Sequence, residues 1–286
     1  MSEIESKEKF ISFIDIIGFK CLVSNAESGS GFTLDEIAEL QECLDSPSER
    51  EQLETYGPPC CPESRYIARN IDFRLTQISD CAVVSTEISP AGVINLINHC
   101  WGVVFRLLQK GVMCRGYISK GPIYHSTRNF IGSGYQNVVE AEKQVAVFKR
   151  TADERGTPFV EIDPSVCDYI SNCEDACVKK MFGRMTASDG DGVALFPFKR
   201  LSHSFIVGGF GLTFDPNKEK HANDNLRKMI HDLCNRVEAL VDASNTDAMR
   251  KANHYIDALK KQLDLCDQTD EMIDKLCSPL LVRRLT

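Results

Sequence analysis

Phe10-Ile11-Ser12-Phe13-Ile14-Asp15-Ile16-Ile17-Gly18-Phe19 is apolar on both alternating faces, the pattern of a strand buried in the middle of a sheet. Asp15 interrupts it. An ionised carboxylate left unpaired there would be strongly destabilising, so Asp15 must be protonated or hold a permanent cation. Gly18 permits a sharp turn and lets backbone groups approach a ligand closely. The run therefore reads as one half of a divalent-metal site.

Outward from this strand, Leu34 to Leu44 reads as a helix, with Thr33 as cap and Glu36 completing a capping box. Four prolines (Pro47, Pro58, Pro59, Pro62) exclude regular structure from much of Ser46–Ser64. A hairpin follows: Ile71–Ile78, a turn at Ser79-Asp80, then Cys81–Thr86. Ser89-Pro90 opens a helix that Gly111 closes, with Val93, Ile94, Ile97, Trp101, Val104 and Leu108 facing inward. Val112–Ile123 returns as a strand. Ser133 with Gln136 predicts a capping box for a helix reaching about Phe148. Further strand and helix signals lie at Phe159–Ile162 and Pro164–Ile170, and late strands at Val193–Phe198 and Phe205–Phe214. This order predicts an α+β fold with a mostly antiparallel sheet flanked by helices.

Asp215-Pro216 begins a different regime and sets the expected domain boundary, 1–214 against 215–286. Leu226, Ile230, Leu233, Val237 and Leu240 form one short heptad stripe, and Ala252, Ile256, Leu259, Leu263 and Cys266 form another. The two stripes fit packing against the chain's own domain or a separate coiled coil.

The 286 residues are 43% hydrophobic, enough for one large core or two modest ones. Acidic residues outnumber basic ones 41 to 33, which argues against a sequence-independent nucleic-acid binder. No apolar run approaches bilayer-spanning length, and Met1-Ser2-Glu3-Ile4-Glu5 has no signal-peptide character. A soluble cytoplasmic protein with reduced thiols is expected. The 13 cysteines are scattered without a C-x-x-C, and Cys60-Cys61 and Cys173/Cys177 lack a matching second pair, so zinc is not expected. A G-x-x-x-x-G-K-[ST] loop is missing, which excludes a P-loop NTPase. Gly208-Gly209-Phe210-Gly211 lacks the acidic pair of a diguanylate cyclase, and Asp189-Gly190-Asp191-Gly192 reads as a turn before a strand.

A second carboxylate matches the first. Asp80, at the hairpin tip, and Asp15, at a strand end, can together hold two divalent ions about 4 Å apart, with a carbonyl such as that of Ile16 completing one shell. Phe13-x-Asp15-Ile16-x-Gly18-Phe19, Ile78-Ser79-Asp80 and Arg115-Gly116-Tyr117-Ile118-Ser119-Lys120-Gly121-Pro122 now resemble, in order, three motifs of class III nucleotidyl cyclases: F-x-D-I-x-G-F, I-G-D and R-x-G-I-H-x-G-P. Gly132-Ser133-Gly134-Tyr135-Gln136-Asn137 is similar to that family's G-D-x-V-N stretch. The resemblance spans roughly residues 8 to 150.

The resemblance implies a ferredoxin-like cyclase domain, active as a head-to-tail homodimer with sites at the interface. Asp15, Ile16 and Asp80 would hold Mn2+ or Mg2+, two ions per site. The ribose 3′-hydroxyl would attack the α-phosphorus in line and pyrophosphate would leave. Phe13, Gly18 and Phe19 belong to the first motif and would border the substrate. Arg115 and Lys120 would neutralise phosphate oxygens.

The departures from the family pattern bear on the base. Thr76 stands where the family carries a Lys or Glu that reads the purine edge, and Asn129 where it carries Asp or Cys. The transition-state Asn and Arg fall on Gln136 and Glu140, or miss by one at Asn137; if Gln136 serves as a cap, the role passes to Arg115, Lys199 or Arg200. With both purine readers gone and the carboxylates kept, purine preference is expected to be lost. Tyr56 or Arg74 would fill the vacated volume. The chain thus resembles the pyrimidine cyclases of bacterial Pycsar anti-phage defence. That resemblance implies conversion of UTP to cyclic UMP, or of CTP to cyclic CMP, with the product acting on a separate effector carrying a cyclic-nucleotide-binding domain. A catalytically silent dimeric sensor is the competing reading.

Overall fold

A computed structural model of the chain describes residues 5–45, 71–127, 129–199 and 214–277. It divides into two compact units, residues 1–196 and 197–286, where the sequence places a boundary at 214/215.

In the first unit β1 (Lys7–Ile16) is the axis. Residues 9 to 14 are all buried, because strands flank it on both edges and side chains cover both faces. The chain continues through α1 (Phe19–Glu27) and α2 (Leu34–Glu42) to the hairpin β2 (Arg74–Ile78) and β3 (Cys81–Glu87), then α3 (Pro90–Gln109) and β4 (Cys114–His125). Strand order is β2-β3-β1-β4, antiparallel throughout. A β-α-β-β-α-β path with that order is the ferredoxin-like arrangement the sequence predicts. Beyond β4 the sheet is extended by β6 (Val160–Ile162), β8 (Val193–Leu195) and β7 (Thr186–Ser188), while β5 (Phe130–Ile131) pairs with the far end of β4. Only the β4–β6 pairing is parallel among the described strands. The unit is a mixed α+β fold with one sheet flanked by helices.

The two faces of β1 have different fates. Phe10, Ser12, Ile14 and Ile16 face α3, whose Cys100 thiol donates to the Ser12 hydroxyl at 3.3 Å. Ser89 caps α3 by accepting from the Gly92 amide, with Pro90 in the first turn, as expected. Trp101, expected to face inward, is half-buried and stacks on Phe105, because the helix buries almost every other apolar residue it has. Contrary to expectation, α3 is long and apolar enough to cross a bilayer, but 67% of its apolar window is buried inside this unit.

Ile11 and Phe13 face the other way, into a cluster with Val83, Ile123 and Val138. Val138 belongs to α4 (Ser133–Glu142), which lies against β4 through Gly134. A Cβ there would meet Ile11 Cδ1 at 2.5 Å and the Gly121 carbonyl carbon at 3.0 Å, so glycine lets the helix approach this closely without displacing its neighbours.

Several boundaries differ from the sequence reading. α4 ends at Glu142 rather than Phe148, and its N-cap is Gly132 without a side-chain bond; the Ser133/Gln136 capping box does not form. The Thr33/Glu36 box does. The first strand stops at Ile16, where Gly18 (φ 78°) turns the chain into α1, a helix the sequence reading missed, as it missed α6 (Ala176–Met185) after α5 (Pro164–Ser171). Asp189 forms the expected turn, accepting from the amides of Asp191 and Gly192. The segment 46–64 with Tyr56, Cys60 and Cys61, the strand at 205–213, and Arg200 lie outside the described residues. The described cysteines are all free thiols.

The second unit contains α7 (Pro216–Leu240) and α8 (Thr246–Cys277), which pack as an antiparallel hairpin. Leu226, Ile230, Leu233 and Val237 are buried against Ala252, Ile256, Leu259 and Cys266, while Leu240 and Leu263 stay half-exposed. Asn223, fully buried, donates to the Cys266 carbonyl and to Asp270, which Arg227 also binds. Shifting the register would strand these polar groups, so they fix it.

Gly134→Val should displace α4 from β4. Overpacking of this kind destabilises by about 1–3 kcal/mol, and urea titration of the full chain measures it.

Candidate active site

Asp15 is the next-to-last residue of β1, and Asp80 follows Ser79, whose φ of 54° tightens the β2–β3 turn. The Ile16 amide donates to the Asp80 carbonyl at 3.0 Å, clamping the hairpin tip to the end of β1. Cys81 is the cross-strand partner of Asp15. Both carboxylates therefore sit at one edge of the sheet. Neither takes a hydrogen bond or an ion pair from a described residue.

The electrostatics record the crowding. Partial burial raises the Asp15 carboxyl to about 7; Asp80 and then Glu142 add to the rise, and Arg115 opposes it. The same surroundings push the Cys81 thiol up to about 11, burial first, then Asp15 and Asp80. Negative charge is concentrated here and not neutralised.

Two hard oxygen donors without protein partners are what a divalent ion bound through one or two carboxylates, water and phosphate oxygens requires. Groups of three His, Cys, Asp or Glu side chains able to hold a metal are not found among the described residues.

The other expected residues divide by sheet face. Ile16 and Phe19 are buried, Phe13 lies in the core cluster beneath Asp15, and Gly18 forms the exposed turn. Arg115 is the β4 partner of Asp15 and is bound by Glu142. Thr76 shares the Asp15 face, one cross-strand row away, and its hydroxyl is 3.0 Å from His125 Nε2. Asn129 and Gln136 are exposed, as are Asn137 and Glu140. Arg74 binds Asp72. Lys120 pairs with Phe10 and so projects from the opposite face, beside a cavity of about 600 Å³ lined also by Tyr169 and Asn172. The structure brings Asp15, Asp80 and Arg115 together and leaves Lys120 apart from them.

Three groups escaped the sequence reading. Glu142 is 3% exposed and faces Arg115. His125, also buried, links Thr76 to the Ser85 hydroxyl at 2.8 Å, and burial holds its imidazole down at about 4, ahead of the cations Lys9 and Arg74. Lys9, 5% exposed, binds Asp72 on the same face. No local motif marks them; only register and helix length bring each to its partners.

No family model matches the chain, and no curated protein does. Among solved structures, a bacterial light-regulated adenylyl cyclase aligns at 14% identity and a TM-score of 0.40, over 68% of this chain and 52% of that one. The catalytic core of a rhodopsin-guanylyl cyclase with converted specificity, in complex with ATPαS, aligns at 12% identity and a TM-score of 0.37, over 59% of this chain and 83% of that one. The chain thus spans about half the length of the first. Likenesses at this level bear on neither activity nor substrate.

The folded chain holds the Asp15 proton more tightly than the unfolded chain, whose carboxyl has the ordinary value of 3.8. Between that value and about 7 the native state binds more protons, so metal-free stability falls as pH rises through this window. Asp15→Asn removes the effect. In chelator it should melt above the unaltered protein at about pH 8, and the two should converge below about pH 4.

Proposed function

We propose that the chain is a pyrimidine nucleotidyl cyclase that converts UTP to 3′,5′-cyclic UMP and pyrophosphate. The observation that carries this reading is the pair Asp15 and Asp80 at one end of the strands, without side-chain partners among the described residues and within motifs that resemble class III cyclases. Divalent ions bound there would supply a hydroxyl activated for attack and a positive counter-charge for the departing pyrophosphate.

The chain's own residues do the rest. Asp15 and Asp80 hold the charge that recruits cation and triphosphate together. Arg115, beside Asp15 on β4, would face the phosphates. Thr76 and His125 offer an uncharged edge where a purine cyclase carries a Lys or Glu. A neutral hydroxyl and Asn129 amide suit the smaller base, whose discrimination depends on hydrogen bonds to its edge. UTP is chosen over CTP on the family resemblance alone.

The same reading takes the active form as a homodimer. Ile78, 48% exposed and two residues before Asp80, and Ile131, 62% exposed, are apolar side chains that a second subunit would cover. On α4 the exposed Gln136 and Asn137 would offer an amide, while Glu140 supplies no guanidinium, so Arg115 or a group from another part of the dimer would provide the positive charge. Cyclic UMP would then act as a cytoplasmic second messenger in anti-phage defence, on an effector with a cyclic-nucleotide-binding domain. Free thiols suit that compartment.

Incubation with each of the four ribonucleoside triphosphates and Mn2+, with products resolved by mass spectrometry, should yield cyclic UMP. Cyclic CMP instead would reassign the base. Asp15→Asn and Asp80→Asn should each lower turnover by more than about 100-fold while remaining folded. Absence of pyrophosphate release from the unaltered protein with all four substrates would favour the silent sensor.

A further inference from the structure

Asp15 and Arg115 are direct cross-strand partners on β1 and β4, with side chains on one face. Opposite charges so placed ordinarily pair. Here no ion pair joins them among the described residues. Arg115 Nε donates instead to Glu142 at the end of α4. The Glu142 side chain is 4% exposed and that of Arg115 20%. Burying a carboxylate is tolerable only when it is paired, so this contact is not a loose surface association.

The backbone favours the same arrangement. Gly156, between α4 and β6, is tied to the Val145 carbonyl at 2.7 Å, and a Cβ there would lie 2.7 Å from Arg115 Nη1. Gly156 also has φ +67°, a conformation that favours glycine, and a side chain there would push the guanidinium aside. The guanidinium occupies that space, drawn toward the helix end and away from its strand partner.

We propose that Glu142 is a positioning residue that binds Arg115, keeps the guanidinium off Asp15 and leaves the Asp15–Asp80 pair open to a divalent cation. This rests on reading that pair as a cation site. Without Glu142, Arg115 would close on Asp15 and compete for the same carboxylate oxygens.

Mn2+ binding to the full chain, followed by the EPR signal of free Mn2+ without nucleotide, tests this independently of turnover. Glu142→Gln should weaken binding about tenfold, the scale of coupling between neighbouring charges. Adding Arg115→Met to Glu142→Gln should restore affinity to within about threefold of the unaltered protein. Unchanged affinity in Glu142→Gln overturns the proposal. So does a double variant that stays weak, since Glu142 would then act as a ligand itself. Should Glu142→Gln fail to fold, Glu142→Asp keeps the charge but shortens the reach, and must show intermediate weakening. An unaltered protein that takes up no Mn2+ counts against the carboxylate-pair reading itself, a result distinct from a loss confined to the variants.

Discussion

Asp15 has no ion-pair partner among the described residues, and most of the neighbouring structure is arranged around that deficit. β1 has strands on both edges, so its last turn cannot move away from Asp80, which the hairpin clamp brings in. Arg115, the one cation in register with it, is bound elsewhere. Concentrated like charge weakens the metal-free fold. Sites that break the rules of good packing in this way are commonly the ones a protein uses.

The sheet separates two tasks by face. Phe10, Ile14 and Ile16 lie with α3 in an apolar layer. The other face is apolar at Ile11 and Phe13, against Val138, and polar around them: the carboxylates lie at one end, and a second cluster of Thr76, Ser85 and His125 runs from the row next to Asp15 toward Lys9 and Asp72 at the other. These polar groups satisfy one another, so the second cluster is a rigid network while the first is left unsatisfied. Close glycine contact between α4 and β4 holds the helix that brings Glu142 to the site.

The sequence was most legible where one residue broke a strong pattern. Asp15 in an apolar strand and Asp80 in a turn stand out without coordinates; the strand and helix order gives an α+β fold with a mostly antiparallel sheet, and the motif resemblance implies its ferredoxin-like path. Lys120 shows the limit: it follows Arg115 by five residues on one strand, and an odd spacing sends it through the sheet to the other side. The Ser133/Gln136 capping box fails for a different reason: Gly132 occupies the cap position, so Gln136 is left exposed. Glu142 and His125 carry no local signature because their meaning comes from partners distant in the chain.

The apolarity of α3 has a consequence during synthesis. A segment of this length and composition, emerging bare from a ribosome, resembles one destined for insertion into lipid. The chain order limits that exposure: β1 and β3 are made first, so part of the surface that shelters α3 is already available when it appears. The remaining shelter, from α6 and β8, comes only after β4 and β6. Nascent chains halted between those points would present an unprotected greasy helix, and chaperone dependence should be greatest in that interval.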